Sequence, residues 1–239
     1  DLIRSRGLGD VYKRQIQYTV TLFMFLAGTN FVLIYFGLKG KLERIWQDNE
    51  FRWYVGFFTL FTLITFIGIY TNVNLGSTSV DHPQIFGVFE SSFRHALFQV
   101  VAIITTTGFV TADFAGWTPF LTMLFFGLFF LGGSSGSTSG GVKVIRHLVM
   151  IKNALLEFRR ALHPNAIVSL HLNHVTIQQS LVYRILGFFI LYMLLFILGA
   201  FVLSLFGLDF LSSIGASAAS LGNVGPSFGD FGPVSTYTT

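Results

Sequence analysis

Three stretches carry residue types and spacings that could do chemistry, and the chemistry is that of backbone oxygen rather than of side chains. Thr105-Thr106-Thr107-Gly108-Phe109 follows a short apolar segment, Ser91 to Ile104. Gly222-Asn223-Val224-Gly225-Pro226 follows another, Leu208 to Leu221. A glycine at such a turn lets the chain aim carbonyl oxygens at a dehydrated cation. Between them lies Gly132-Gly133-Ser134-Ser135-Gly136-Ser137-Thr138-Ser139-Gly140-Gly141, which leads into Val142-Lys143-Val144-Ile145-Arg146. Glycine and serine at that density cannot hold a rigid helix. Irregular backbone at membrane depth survives only where it lines water or is buried in protein.

Other candidates are weaker. Gly136 and Gly141 have the spacing of a phosphate-binding loop, but Val142 stands where lysine is required and no Ser or Thr follows Lys143. Arg94 and His95 adjoin one another without a nucleophile or an acid, and are expected near the outer surface. His171 and His174 stand three apart, yet no third ligand type lies near them in a polar stretch, so they read as surface histidines. Asp113, just beyond the first glycine turn, either concentrates cations at an outer mouth or is a solvated loop carboxylate. Asn30, in the middle of an apolar run, reads as a packing hydrogen bond toward other helices. The absence of cysteine excludes disulfides and thiolate chemistry.

The elements around these stretches are those of a membrane protein. Hydrophobic residues make up 52% of the 239, charged residues 11%, and the mean hydropathy is +0.67. A soluble domain carries about 25% charged residues, so this chain cannot cover a water-facing surface. Its formal charge of +4 sits in loops between apolar runs, where it orients a protein in the bilayer rather than binding nucleic acid. Residues 16–38 form an uncharged run of spanning length. A short basic loop, 39–52, reads as cytoplasmic, with Trp46 and Trp53 on either side of its boundary with the next span. Residues 53–73 form the next span. An outer loop without Lys or Arg, 74–90, follows. Ser91 to Ile104 is too short to cross, and reads as a re-entrant helix capped by its serines, its negative dipole end facing inward to favour a cation. Pro119 to Leu131 re-enters, breaks at the Gly–Ser run, and emerges at Lys143 into a basic stretch with a cytoplasmic loop over 151–180. Residues 181–206 span again. Residues 208–226 then repeat the short helix and glycine turn. No carboxylate is expected inside any span, which argues against a proton relay and against a membrane-embedded enzyme.

These pieces resemble the Trk/Ktr/HKT superfamily of potassium transporters, and the Trk branch in particular. The resemblance rests on Thr105–Phe109, the Gly–Ser loop running into Lys143-Val144-Ile145-Arg146, His163-Pro164-Asn165-Ala166, and Asn223-Val224-Gly225-Pro226, in that order. It covers roughly residues 16–234. It implies an all-α integral membrane protein of repeated helix–pore loop–helix units, a potassium-channel-like pore incomplete in this chain. Residues 16–38 would then be the outgoing helix of a preceding repeat. Residues 53–150 would be a complete repeat, and 181–239 a last repeat cut short before its final helix.

The resemblance also implies the function: potassium uptake across the cell membrane by a multi-pass protein, with no cofactor beyond the transported ion. The filter would comprise Thr105, Thr106, Thr107, Gly108, Phe109, Gly222, Asn223, Val224, Gly225 and Pro226. Potassium would lie at Thr106, Thr107, Gly108, Asn223, Val224 and Gly225. Gly132, Gly133, Gly136, Ser137, Thr138, Ser139, Gly140, Gly141 and Lys143 would form an intramembrane gate, Ser139 standing where the family pattern has glycine. The implied partners are the lipid bilayer, a second copy of the full-length protein, and a cytosolic nucleotide-binding regulatory subunit. Residues 1–15 look like a translated sequencing adapter, Asp10-Val11-Tyr12-Lys13-Arg14-Gln15. With two of four filter loops, the chain by itself is not expected to conduct. The competing class is an inverted-repeat secondary transporter of another small solute or a Na+-coupled cation, which also uses broken helices but needs no glycine filter.

Overall fold

The structure, a computed structural model, describes residues 14–73, 87–163, 169–173 and 175–233. The expected outer loop before residue 87, most of the 163–166 motif, His174 and the last six residues lie outside them.

The first apolar run is not one helix. Helix α1 (Arg14–Ala27) and helix α2 (Phe31–Leu38) meet at 112°. Arg14 and Gln15, set aside in the sequence reading, form the first turn of α1. Asn30 makes the break by capping α2, its side-chain oxygen accepting from the Val32 N–H at 2.8 Å. Gly28 fits because it lacks a side chain: a Cβ there would lie 2.7 Å from Thr105 Cγ2 and overlap the Tyr54 hydroxyl.

The expected cytoplasmic loop is helical too. Helix α3 (Leu42–Gln47) runs into helix α4 (Asn49–Asn72), which Asp48 caps by accepting from the Phe51 N–H at 2.8 Å. The span thus begins earlier than the apolar pattern suggests, and it buries Glu50. The expectation of no carboxylate inside a span is corrected at that residue.

The re-entrant helix α5 (Val88–Ile104) begins before its serines, with Gly87 as an uncapped start. Ser91 and Ser92 are buried inside it, so they are not its caps. From Ala96 to Ile104 nearly every residue is buried, on all sides of the helix, as a helix held inside a protein must be. Helix α6 (Pro119–Leu128) starts with Thr118 as cap and proline in its first turn, as expected. It ends earlier than the apolar run, tightening through three successive turns, Phe129 to Phe126, Phe130 to Gly127 and Leu131 to Leu128.

Helix α7 (Val144–Leu162) leads to a hairpin of two short antiparallel strands, β1 (His171–Leu172) and β2 (Val175–Thr176), in the basic stretch. Helix α8 (Gln179–Leu205) and the short helix α9 (Phe210–Gly222) repeat the α4–α5 order. α4 and α8 are each long and apolar enough to cross a membrane, and the bent α1–α2 pair is a third if counted as one span.

The core gathers around α5, and the last unit joins it through Ala218, Val224 and Phe228. Phe114 stacks on Phe125 at 5.4 Å and meets Phe228 edge-on at 5.6 Å. Phe129 lies 5.4 Å from Phe228. All four rings are fully buried, and they fix the second glycine turn against the first repeat.

Candidate ion pathway: two glycine turns and the loop beneath them

The two glycine turns share one backbone plan. In the first, Thr106 has φ 54° and Gly108 φ 71°. In the second, Asn223 has φ 59° and Gly225 φ 104°. Neither Thr107 nor Val224, the residues between, has a positive φ. Alternating hands of this kind turn successive N–H groups to one side. The N–H groups face their own helix: Thr107 and Gly108 donate to the Ala102 carbonyl at 2.9 and 3.2 Å, and Val224 donates to the Ala219 carbonyl at 2.8 Å. Thr105 is held by its hydroxyl, which donates to the Val101 carbonyl at 2.7 Å and pairs with the Thr107 hydroxyl at 2.9 Å. Phe109 is exposed.

The turns also touch. A Cβ on Gly108 would overlap the Val224 carbonyl oxygen and come within 3.0 Å of Pro226 Cδ. Gly222 packs on the Phe129 carbonyl, 2.8 Å from where its Cβ would stand. The structure therefore brings the ten residues singled out in the two turns into two adjoining loops.

The Gly–Ser run lies directly against them. The Gly140 N–H donates to Thr106 Oγ1 at 2.6 Å, and a Cβ on Gly140 would lie 2.8 Å from both Asn223 Cβ and the Gly222 carbonyl. The run is folded back on itself by Gly132 N–H to Val142 carbonyl, 2.8 Å, and Val144 N–H to Gly133 carbonyl, 3.1 Å. Gly136 and Gly141 adopt φ 70° and 64° to allow this. The break between α1 and α2 supplies the partners for the outer edge. Ser134 and Thr138 donate through their N–H groups to the carbonyls of Gly28 and Ala27, at 2.9 and 3.3 Å, and Phe31 donates to the Gly136 carbonyl at 3.3 Å. Lys143 reaches back over the run: Nζ donates to the Ser137 carbonyl and hydroxyl at 3.3 and 3.2 Å, and to the carbonyl and hydroxyl of Ser139, the latter at 3.1 Å. Ser139 in turn accepts from the Gly133 N–H at 2.9 Å. A serine here, in place of glycine, thus takes up a bond that glycine could not.

The family model described as "TrkH: Cation transport protein" matches residues 11–238. The chain belongs to the TrkH cation transport family. Trk system potassium uptake protein TrkH of Escherichia coli K12 is 34% identical over 216 residues, 90% of this chain and 42% of that protein. TrkG of the same organism is 30% identical over 227 residues, 94% of this chain and 44% of that protein. The crystal structure of the potassium transporter TrkH from Vibrio parahaemolyticus superposes with a TM-score of 0.81 at 33% identity, over 95% of this chain and 46% of that one. The chain thus spans less than half the length of these relatives, and it is an all-α membrane protein of pore-loop units.

Several side chains of this TrkH-family chain lie where the sequence did not place them. Arg94 and His95 are buried, not near the surface. Arg94 pairs with Gln17 of α1 and with Glu90, at 3.3 Å, while Tyr18 donates to the same Glu90 carboxylate at 3.2 Å. His95 Nδ1 lies 3.1 Å from Thr111 Oγ1, which Gln99 also meets at 3.2 Å. Together they clamp the link after the first turn onto α5. Asp113 accepts from the Ala115 N–H at 3.1 Å and so caps a single helical turn, Phe114–Gly116. His171 is in β1, its Nδ1 3.0 Å from the Ser169 carbonyl. Asn173, in the hairpin turn, accepts from the Asn49 N–H at 2.7 Å and donates to Asp48 at 2.8 Å, fastening the hairpin to the start of α4. The signals for these contacts were faint: a polar residue within a buried helix, or an Asp–Asn pair before a span.

Proposed function

We propose that this chain is part of a Trk-type potassium uptake protein, and that it supplies two walls of the potassium pathway with a gate beneath them. Dehydrated potassium passes the carbonyls of Thr106, Thr107 and Gly108 on one wall and of Asn223, Val224 and Gly225 on the other. The oxygens replace its hydration shell. The 132–141 loop, fastened by Lys143, obstructs the path below. Residues 53–150 constitute one unit and 181–239 the opening part of another, in a multi-pass protein of the cell membrane. Its partners are the bilayer, a second copy, and a cytosolic nucleotide-binding subunit that meets the basic face of Arg146, Lys152, Arg159 and Arg160.

The single observation that carries this reading is the pair of turns with one φ pattern, meeting at Gly108 and Val224 directly against Gly140. Growth rescue tests it. The uninterrupted gene is expressed in cells lacking potassium uptake, beside Gly108→Ser. Rescue at low potassium that the substitution abolishes or makes sodium-sensitive is the expected result. An organic-solute carrier would leave monovalent-ion flux indifferent to that substitution, and would overturn the reading.

A further inference from the structure

Glu50 sits in the first turn of α4 with 5% of its surface exposed. Both its oxygens are engaged by one residue of the 132–141 loop: the Ser135 N–H donates to Oε1 at 2.6 Å and the Ser135 hydroxyl to Oε2 at 2.5 Å. Burying a carboxylate is costly unless it is hydrogen-bonded, and bonds to a charged acceptor are about twice as strong as neutral ones. The helix does not need Glu50 as a cap, because Asp48 already serves. Its neighbours on the loop are tied as well: the Ser134 N–H to Gly28, the Gly136 carbonyl to Phe31. At the other end Gly140 is bonded to Thr106 of the first turn. The loop is therefore strung between three anchors, on α4, at the α1–α2 break and under the candidate filter.

We propose that Glu50 is a positioning residue that latches the 132–141 loop, through Ser135, in its place beneath the candidate filter. The inference rests on the reading of that loop as a gate. When the carboxylate lets go, the segment around Ser135 moves away from α4 and the loop loses that anchor.

Accessibility of a single thiol reads this without reference to ion flow. The chain has no cysteine, and Ser134 is 1% exposed with its hydroxyl unpartnered, so Ser134→Cys disturbs little. The full-length protein is used, with any cysteine outside this chain replaced by alanine. A maleimide is applied to the protein in detergent, where it can approach from either side. Ser213→Cys, 2% exposed on α9, serves as the distant reference.

Glu50→Ala and Ser135→Ala are each expected to speed labelling at Ser134→Cys about tenfold, the loss of a charge-assisted hydrogen bond, and to leave the reference unchanged. The double variant is expected to react no faster than Glu50→Ala, since the two side chains form one contact. Unchanged labelling, or effects that multiply, overturns the latch. If Glu50→Ala accelerates both thiols alike, α4 has come apart, and Ser135→Ala alone decides: no acceleration there also overturns it. Potassium flux is measured in parallel. Faster labelling with unaltered flux keeps the latch and removes the gate reading, whereas unaltered labelling in a working transporter removes the latch alone.

Discussion

Gly108 and Gly225 occupy matching positions in their turns, yet their surroundings make them unequal. Both need a positive φ, 71° and 104°, which costs a residue with a side chain roughly 1–2 kcal/mol. Around Gly225 a Cβ would meet open space, whereas at Gly108 it would strike the Val224 carbonyl. Gly225→Ala is expected to cost about that backbone strain alone. Gly108→Ala should cost more, because it pushes the two turns apart. Thermal unfolding of the two variants in detergent, beside potassium-over-sodium selectivity, checks the order; equal shifts would contradict the contact. The need for glycine was legible in the sequence at both positions, but the contact that separates them was not, because it joins residues of different repeats. Asp209 offers a second test. The Ser212 side chain foremost, and then the Ser212 and Leu211 N–H groups from which its carboxylate accepts at the start of α9, hold its pKa below the usual carboxylate value. A depressed folded pKa means stability present above the unfolded value of about 4, and lost as pH falls through the folded one. Asp209→Asn keeps a good cap and should flatten that acid limb in unfolding temperature against pH.

The breaks in the helices were only half foreseen, and the reason is physical. Glycine and serine announce the interruption between α6 and α7 by composition. The bend between α1 and α2 lies in an unbroken apolar run, and what permits it is remote: the carbonyls of Ala27 and Gly28 released by the bend are taken up by Thr138 and Ser134. Each interruption thus satisfies the other, which no local pattern displays. Glu50 escaped notice for a similar cause. It stands among polar neighbours at a span's edge, and only the folded loop turns it into a buried group. Lys143, by contrast, was placed with the loop from the sequence, and its ammonium binds the backbone of Ser137 and Ser139. Lys143→Met keeps the aliphatic stem and removes the donors. It is expected to loosen the loop and raise unstimulated rubidium efflux from loaded proteoliposomes severalfold; efflux at the parent rate would remove Lys143 from the gate.

The order of long span, short helix and glycine turn was readable over 53–109 and again over 181–226, since apolar length and turn residues are local properties. The hairpin of β1 and β2 was not, being two residues per strand and held by Asn173 rather than by an alternating pattern. α8 shows what faces outward. Ile190, Leu191, Leu194, Leu195, Ile197 and Leu198 are all exposed on it, and such a surface belongs in hydrocarbon. Leu195→Arg is expected to oppose insertion of this helix by about 2.5–3.5 kcal/mol, and so to shift the chain out of the carbonate-resistant membrane fraction; full retention would contradict an outward-facing α8. One feature of the turns bears on how such a molecule assembles. The bonds that shape each turn, Thr107 to Ala102 and Val224 to Ala219, reach back only a single helical turn or so. Closures that short take on the order of 10–100 ns. The hydrogen bonds that give each turn its form thus lie within its own helix and turn, while the approach of Gly108 to Val224 sets the two turns side by side. A lineage that copies one helix with its turn copies the bonds that shape it.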